Sequence, residues 1–194
     1  LRSLAYAGIP TSQLYGSDLN SDFLTTSYTL FNDKDSFQGT LVPANVFAED
    51  TFEKAWEDWE GKFGIVYAGL FLHLFNYNQQ ITICEKIVQL MSKEKGTLFL
   101  GEMVGREGSG HRGEGKDVKF WTKGEERKQY LHDVNGFEKM WAEVAEKTGT
   151  VGMWKVQGAF RKRPQKGEDD GHPAPGGFFT GEGIGWLTFS VERI

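Results

Sequence analysis

Between Asn78 and Lys93 the apolar residues Ile81, Cys84, Ile87 or Val88, and Met91 recur every three to four positions. Lysine follows in the last turn and Gly96 lies beyond it, so the pattern predicts an amphipathic helix with a defined end. Continuous apolar runs flank this helix, Phe63 to Ala68 before it and Thr97 to Leu100 after it. Runs without alternation suit strands covered on both faces, as in a parallel sheet. The three segments therefore form a strand, helix, strand unit whose crossover is expected to be right-handed.

Other segments extend the alternation. Gln13 to Asp18 follows a turn at Gly8-Ile9-Pro10 and reads as a strand ending on a carboxylate. Thr40-Leu41-Val42 and Asn45-Val46-Phe47 bracket Pro43, which fits only an edge strand or a strand end because proline has no N–H. Asp50-x-x-Glu53 resembles a capping box, and Phe52, Trp56 and Trp59 follow at helical spacing, predicting a helix over about 51–60. A second such helix opens at Asn135-x-x-Glu138, with Val134, Phe137, Trp141 and Val144 on one face and Gly149 after it. Trp154 to Phe160 and Trp186 to Val191 alternate like two strands. Met103 to Tyr130 and Arg161 to Gly185 are glycine-rich and aperiodic, and read as long loops, the first in the length class of lids and binding loops. The sum is a single α/β domain over 1–194, with a mainly parallel sheet and an antiparallel edge.

Composition narrows the function. The 27 acidic and 22 basic side chains give a net charge of -5, which argues against a general nucleic-acid or anionic-membrane binder. The longest apolar run, Ile65 to Leu72, contains Gly69 and falls far short of the ~20 residues that span a bilayer. Leu1-Arg2-Ser3-Leu4 has neither a secretory pattern nor an initiating methionine, so the natural chain is expected to begin upstream. The single cysteine, Cys84, excludes an intramolecular disulfide or a cysteine-rich zinc site and suits a reducing, cytoplasmic compartment. The four histidines, His73, His111, His132 and His172, lack metal-ligand spacing, and no metal is expected.

Four places carry candidate chemistry. Gly108-Ser109-Gly110-His111-Arg112-Gly113 matches the letters of a dinucleotide fingerprint, but it neither leaves a strand directly nor opens a helix, as phosphate binding requires. Gly110-x-x-x-x-Gly115-Lys116 imitates a phosphate-binding loop, yet Asp117 stands where a hydroxyl should meet magnesium. Both read better as a charged flexible loop. Asp18, at the carboxyl tip of a parallel strand, can accept both hydroxyls of a ribose or can cap the following segment. His73, just beyond the Phe63 to Ala68 strand, can act as a general base near neutral pH or can be a buried histidine bonded to backbone. Position leaves both pairs of alternatives open.

Six segments, taken together, resemble the fungal S-adenosylmethionine-dependent methyltransferases of secondary-metabolite clusters. They are Leu1-Arg2-x-Leu4, Leu14-Tyr15-Gly16-Ser17-Asp18-Leu19, Tyr28-Thr29-Leu30-Phe31-Asn32-Asp33, Gly61 to Ala68, Phe71-Leu72-His73-Leu74-Phe75 and Gly136 to Trp141. The likeness runs in order from Leu1 to about Phe160. It implies a Rossmann-like class I methyltransferase fold with an antiparallel last strand, in which Asp18 and Leu19 hold the ribose of S-adenosylmethionine and Asn45, Val46 and Phe47 border its adenine. It further implies a small polyketide- or terpenoid-derived acceptor methylated on a hydroxyl or carboxylate, with His73 as base for a hydroxyl. Phe71, Phe75, Trp121 and Trp186 are candidates for the acceptor pocket. Three residues depart from the group's pattern: Asn45 and Gly64 replace aspartates, and Tyr67 replaces a histidine. The group's first strand and glycine-rich turn precede its Leu-Arg-x-Leu segment, so this chain is expected to be N-terminally truncated and to lack them. The alternatives are a non-catalytic scaffold that keeps the sheet and, behind it, a nicotinamide oxidoreductase.

Overall fold

A computed structural model describes residues 1–48, 54–111, 129–162 and 183–194. The chain divides into two compact units, Leu1–Trp59 and Glu60–Ile194.

The first unit contains helix α1 (Arg2–Tyr6), strand β1 (Tyr15–Asp18), helix α2 (Ser21–Phe31) and strand β2 (Thr40–Pro43). β1 and β2 pair in parallel, from Tyr15 opposite Thr40 to Asp18 opposite Pro43. Parallel neighbours need a crossover, and α2 supplies it. Its serines and threonines are modest helix formers and give little periodic signal, which is why the pattern reading found no element there. Caps at both ends define it instead: Asn20 Oδ1 accepts from Asp22 N at the start, and Asn32 turns left-handed (φ 49) at the end. Pro43 closes β2, as its missing donor demands.

Among the described residues the apolar core of this unit is small, with Leu14, Phe37 and Trp56 buried. A cation supplements it. Arg2 makes a bidentate pair with Asp33, Nε to Oδ2 at 2.8 Å and Nη2 to Oδ1 at 3.2 Å. Its guanidinium also lies 4.2 Å from the ring centre of Phe37, 5.0 Å from Phe31 and 5.2 Å from Tyr28. Two of the resemblance-bearing segments are thus joined by one side chain. Of the helix expected over 51–60, the start with its capping box lies outside the described residues, and Glu57–Trp59 forms a 3-10 turn.

The second unit contains β3 (Ile65–Gly69), α3 (Tyr77–Leu90), β4 (Leu98–Arg106), β5 (Gly110–His111), β6 (Tyr130–Leu131), α4 (Val134–Lys147), β7 (Trp154–Lys162) and β8 (Ile184–Arg193). Its main sheet has the order β3-β4-β8-β7. β3 pairs with β4 in parallel, while β8 is antiparallel to both β4 and β7. Three strands therefore run one way and the last strand runs against them. The reversed strand is not at the edge, as the pattern reading expected, but sits between β4 and β7. There it pairs with nine consecutive residues of each, more pairing than an edge position offers.

Two strands differ from expectation. β3 is an edge strand among the described residues, and Ile65 and Tyr67 are exposed at 63% and 65% rather than covered on both faces. β4 continues to Arg106, into the segment read as loop. Gly101 and Gly105 look like breaks in sequence but mark close approach, since a Cβ would strike the Phe189 ring at one and the His132 carbonyl at the other. Strands also take in the ends of the second predicted loop, Arg161–Lys162 and Ile184–Gly185, and of the two loops 112–128 and 163–182 lie outside the described residues.

The core of this unit lies between one sheet face and the two helices. Phe99 and Met103 of β4 and Leu187, Phe189 and Val191 of β8 are buried, as are Phe137, Met140, Trp141 and Val144 of α4. Phe137 stacks on Phe189 at 4.3 Å and Phe99 on Trp141 at 5.5 Å. α3 adds Ile81, Ile83, Cys84 and Ile87 and begins in a reciprocal capping box between Asn76 and Gln79. α4 begins two residues earlier than a cap at Asn135 would place it, because the cap is Asp133.

Candidate active site

In the first unit, the carboxyl ends of β1 and β2 carry the residues expected to meet a nucleoside. Gly16 lets the strand through, since a Cβ there would lie 2.7 Å from Leu1 Cδ1. Ser17 Oγ donates to the Val42 carbonyl at 3.0 Å, tying the two strand ends together. Asp18 is exposed, and its Oδ1 accepts from Asn20 N at 2.8 Å. The helix cap is Asn20, so Asp18 is released from the capping role that sequence left open. Among the described residues its Oδ2 accepts no hydrogen bond. Two residues beyond the Asp18 partner Pro43, Asn45 Oδ1 accepts from Phe47 N at 3.0 Å and its carbonyl accepts from Ala48 N. That turn commits the amide oxygen of Asn45, and among the described residues its Nδ2 makes no hydrogen bond. Leu19 is 73% exposed and Phe47 37%, while Val46 is half-buried.

In the second unit, the chain leaves β3 through Leu70, a non-glycine residue held at φ 54. Its N–H donates to the Glu102 carbonyl at 2.8 Å. This left-handed conformation costs on the order of 1 kcal/mol and turns the chain into the 3-10 turn Leu72–Leu74. His73 on that turn is only 2% exposed, which favours the buried alternative left open above. Phe71 and Phe75 bracket it, edge to face at 5.0 Å. Nearby on the sheet, the exposed Tyr67 hydroxyl donates to Glu102 Oε1 at 3.4 Å. Burial of the phenol, then the charge of Glu102, pushes the Tyr67 pKa up.

The glycine motif has a structural task. Gly108 N and the Ser109 hydroxyl donate to the Asp133 carboxylate at 3.1 and 2.7 Å, and Gly136 N donates to it at 2.7 Å. Burial raises the Asp133 pKa, but these donors outweigh it and the net shift is downward. The start of α4 is thus filled by the chain's own carboxylate, which removes the phosphate site a dinucleotide fingerprint requires. Arg112, Gly113 and the Gly115-Lys116 segment lie outside the described residues, as does Trp121.

Sequence reasoning missed Gln80 and His132, both fully buried and joined at 3.1 Å. The signal was present for Gln80: it lies four residues before Cys84, a polar residue at an apolar spacing. His132 gave none, because its burial depends on a strand, β6, too short to show periodicity.

A sheet with three co-directional strands, an inserted antiparallel last strand and crossover helices is the class I methyltransferase fold. Solved structures agree: the [4+2]-cyclase SpnF at TM-score 0.57 (7% identity, 98% of this chain and 70% of that one) and phosphoethanolamine N-methyltransferase 2 of Haemonchus contortus with S-adenosyl-L-methionine at 0.55 (14%, 93% and 43%). PigF with SAH matches at 0.52 (15%, 99% and 51%). No family model matches the chain. Its sequence relatives include fungal methyltransferases. O-methyltransferase phiE of a fungal species (strain ATCC 74256) is 36% identical over 156 residues, 80% of this chain and 48% of that protein. Methyltransferase trt5 of Aspergillus terreus is 31% identical over 190 residues and ausD of Penicillium brasilianum 30% over 191, each match covering 95% of this chain and 61% of the relative. The chain thus spans about half to three fifths of the length of these relatives.

Proposed function

We propose that the chain is part of an S-adenosylmethionine-dependent methyltransferase acting on a hydroxyl or carboxylate of a small polyketide- or terpenoid-derived metabolite in the cytoplasm. The observation that carries this reading is Asp18: an exposed carboxylate at the end of a parallel strand, one oxygen fixed by Asn20 N, the other open. A carboxylate held in this way accepts a ribose hydroxyl without paying to organise itself. Asn45 supports it with Nδ2 donors suited to an adenine ring nitrogen, and Val46 and Phe47 offer apolar surface for the base. Leu19, exposed beside Asp18, would pack against the sugar.

The cofactor supplies a methyl group already activated on a sulfonium, so the protein's work is alignment. For a hydroxyl acceptor His73 takes the departing proton; a carboxylate acceptor needs no base. The open edge of β3, with Ile65 and Tyr67 exposed, supports a further strand pairing there in the whole protein.

A non-catalytic binding or scaffold subunit is the second reading, and the burial of His73 favours it. Turnover separates the two. His73→Ala should lower methyl transfer to a hydroxyl by roughly 100-fold or more with little change in donor affinity. Unchanged turnover in that variant removes His73 from the mechanism. A folded protein that binds no S-adenosylhomocysteine supports the scaffold.

A further inference from the structure

We propose that Gln80 is a positioning residue for His73: its carboxamide, held in one orientation by the Phe75 and Tyr130 carbonyls, fixes the turn that carries the imidazole. The functional part of this inference rests on the reading of His73 as the base.

Gln80 is fully buried although its neighbour Gln79 is exposed. Burying a primary amide is tolerated only when its donors and acceptor are used. Here Nε2 donates to the Phe75 carbonyl at 3.0 Å and to the Tyr130 carbonyl at 2.8 Å, and Oε1 faces His132 Nε2 at 3.1 Å. Carbonyls can only accept, so the amide nitrogen must face them. The oxygen then faces His132, whose Nε2 must carry the hydrogen. Burial keeps that ring neutral by lowering its pKa to about 4, against the backbone of Gly136 and the Asp133 charge, which act to raise it. A flipped amide would turn its oxygen onto both carbonyls and lose those two bonds, so the orientation is fixed.

The peptide held this way belongs to the His73 turn. Phe75 N donates back to the Leu72 carbonyl at 3.1 Å, closing the turn, while the Phe75 carbonyl accepts from Gln80 and also from Tyr130 N at 3.0 Å. On the far side, the His132 carbonyl accepts from Arg106 N at 3.0 Å, anchoring the same node to β4. The Tyr77 ring closes over it, edge to face with Tyr130 at 4.9 Å and tilted against His132 at 5.9 Å. Gln80 therefore links α3, β6 and β4 at the point where the His73 turn ends.

The test uses Gln80→Met, which keeps length and volume but makes no hydrogen bonds, and Val191→Ala as a core control matched in thermal loss. The readout is the rate at which diethyl pyrocarbonate modifies His73, followed by peptide mass spectrometry, with S-adenosylhomocysteine affinity measured in parallel. Gln80→Met should speed modification by at least about tenfold over the control while leaving nucleoside affinity unchanged, because local opening of the turn then costs one or more hydrogen bonds less. The proposal is overturned if His73 reacts in Gln80→Met at the wild-type rate, or if Val191→Ala speeds it equally. Failure of the methyltransferase reading appears elsewhere, as absent nucleoside binding, and leaves the His73 rates interpretable.

Discussion

The two units solve the same problem with unequal means. Glu60–Ile194 buries a continuous aromatic and aliphatic core between its sheet and two helices. Among the described residues, Leu1–Trp59 buries three large apolar side chains and leaves Leu19, Phe23 and Leu30 exposed at 73%, 67% and 75%. It depends instead on the Arg2–Asp33 pair among three aromatic rings. A part-exposed ion pair is screened by solvent and contributes less than a packed core. The unit that carries the proposed nucleoside residues is thus the less self-sufficient one, as expected where ligand-binding elements are drawn from the low-stability end of a structure.

Core truncation should expose this difference most strongly. Trp141→Ala removes the ring stacked on Phe99 and should cost about 3–5 kcal/mol, lowering protection from hydrogen exchange across 60–194. Equal loss in 1–59 would show that the units unfold as one.

Acid should come next and act on the larger unit first. His132 binds its proton less tightly folded, at about 4, than at its ordinary 6.5, so the unfolded chain takes up protons first as the pH falls. Stability is full above 6.5 and drains down to about 4, by on the order of 3 kcal/mol for the whole shift. Asp33 is held below 3.8, chiefly by the hydrogen bond from Arg2, so its contribution is present above 3.8 and is lost only as pH falls through its lower folded value. Hydrogen exchange at pH 5 should find 60–194 weakened and 1–59 unaffected. His132→Gln should flatten the profile of the larger unit; a persisting slope would assign it to another group. The smallest effect is that of Asn45→Ala, a loss of about 1 kcal/mol in nucleoside binding, several-fold in calorimetry.

Long periodic elements were legible in the sequence. α3 and α4 declared themselves by spacing, β7 and β8 by alternation, and the class I methyltransferase fold by the ordered resemblance. What escaped was set by contacts distant in sequence. β8 lies inside the sheet because it pairs with a strand far earlier in the chain, from Leu98 opposite Glu192 to Arg106 opposite Ile184, and the second half of β4 is held by β8 and the His132 backbone. α2 was hidden because its caps, not its face, define it. At the candidate site, residue type and position pointed to Asp18 and the resemblance to Asn45, but only geometry shows that Asn20 rather than Asp18 caps α2, and that His73 is enclosed. The buried Gln80–His132 node arises from four separate segments, and only Gln80, a polar residue at an apolar helical spacing, left a trace of it in the sequence.

The most direct test pairs two changes at one contact. S-adenosylhomocysteine and an analogue lacking the ribose 2′- and 3′-hydroxyls are titrated calorimetrically into the wild-type protein and into Asp18→Ala. The account predicts that either change alone weakens binding by about 10- to 100-fold and that the second adds little once the first is made. Additive losses, or an Asp18→Ala variant that binds S-adenosylhomocysteine as the wild type does, would contradict it.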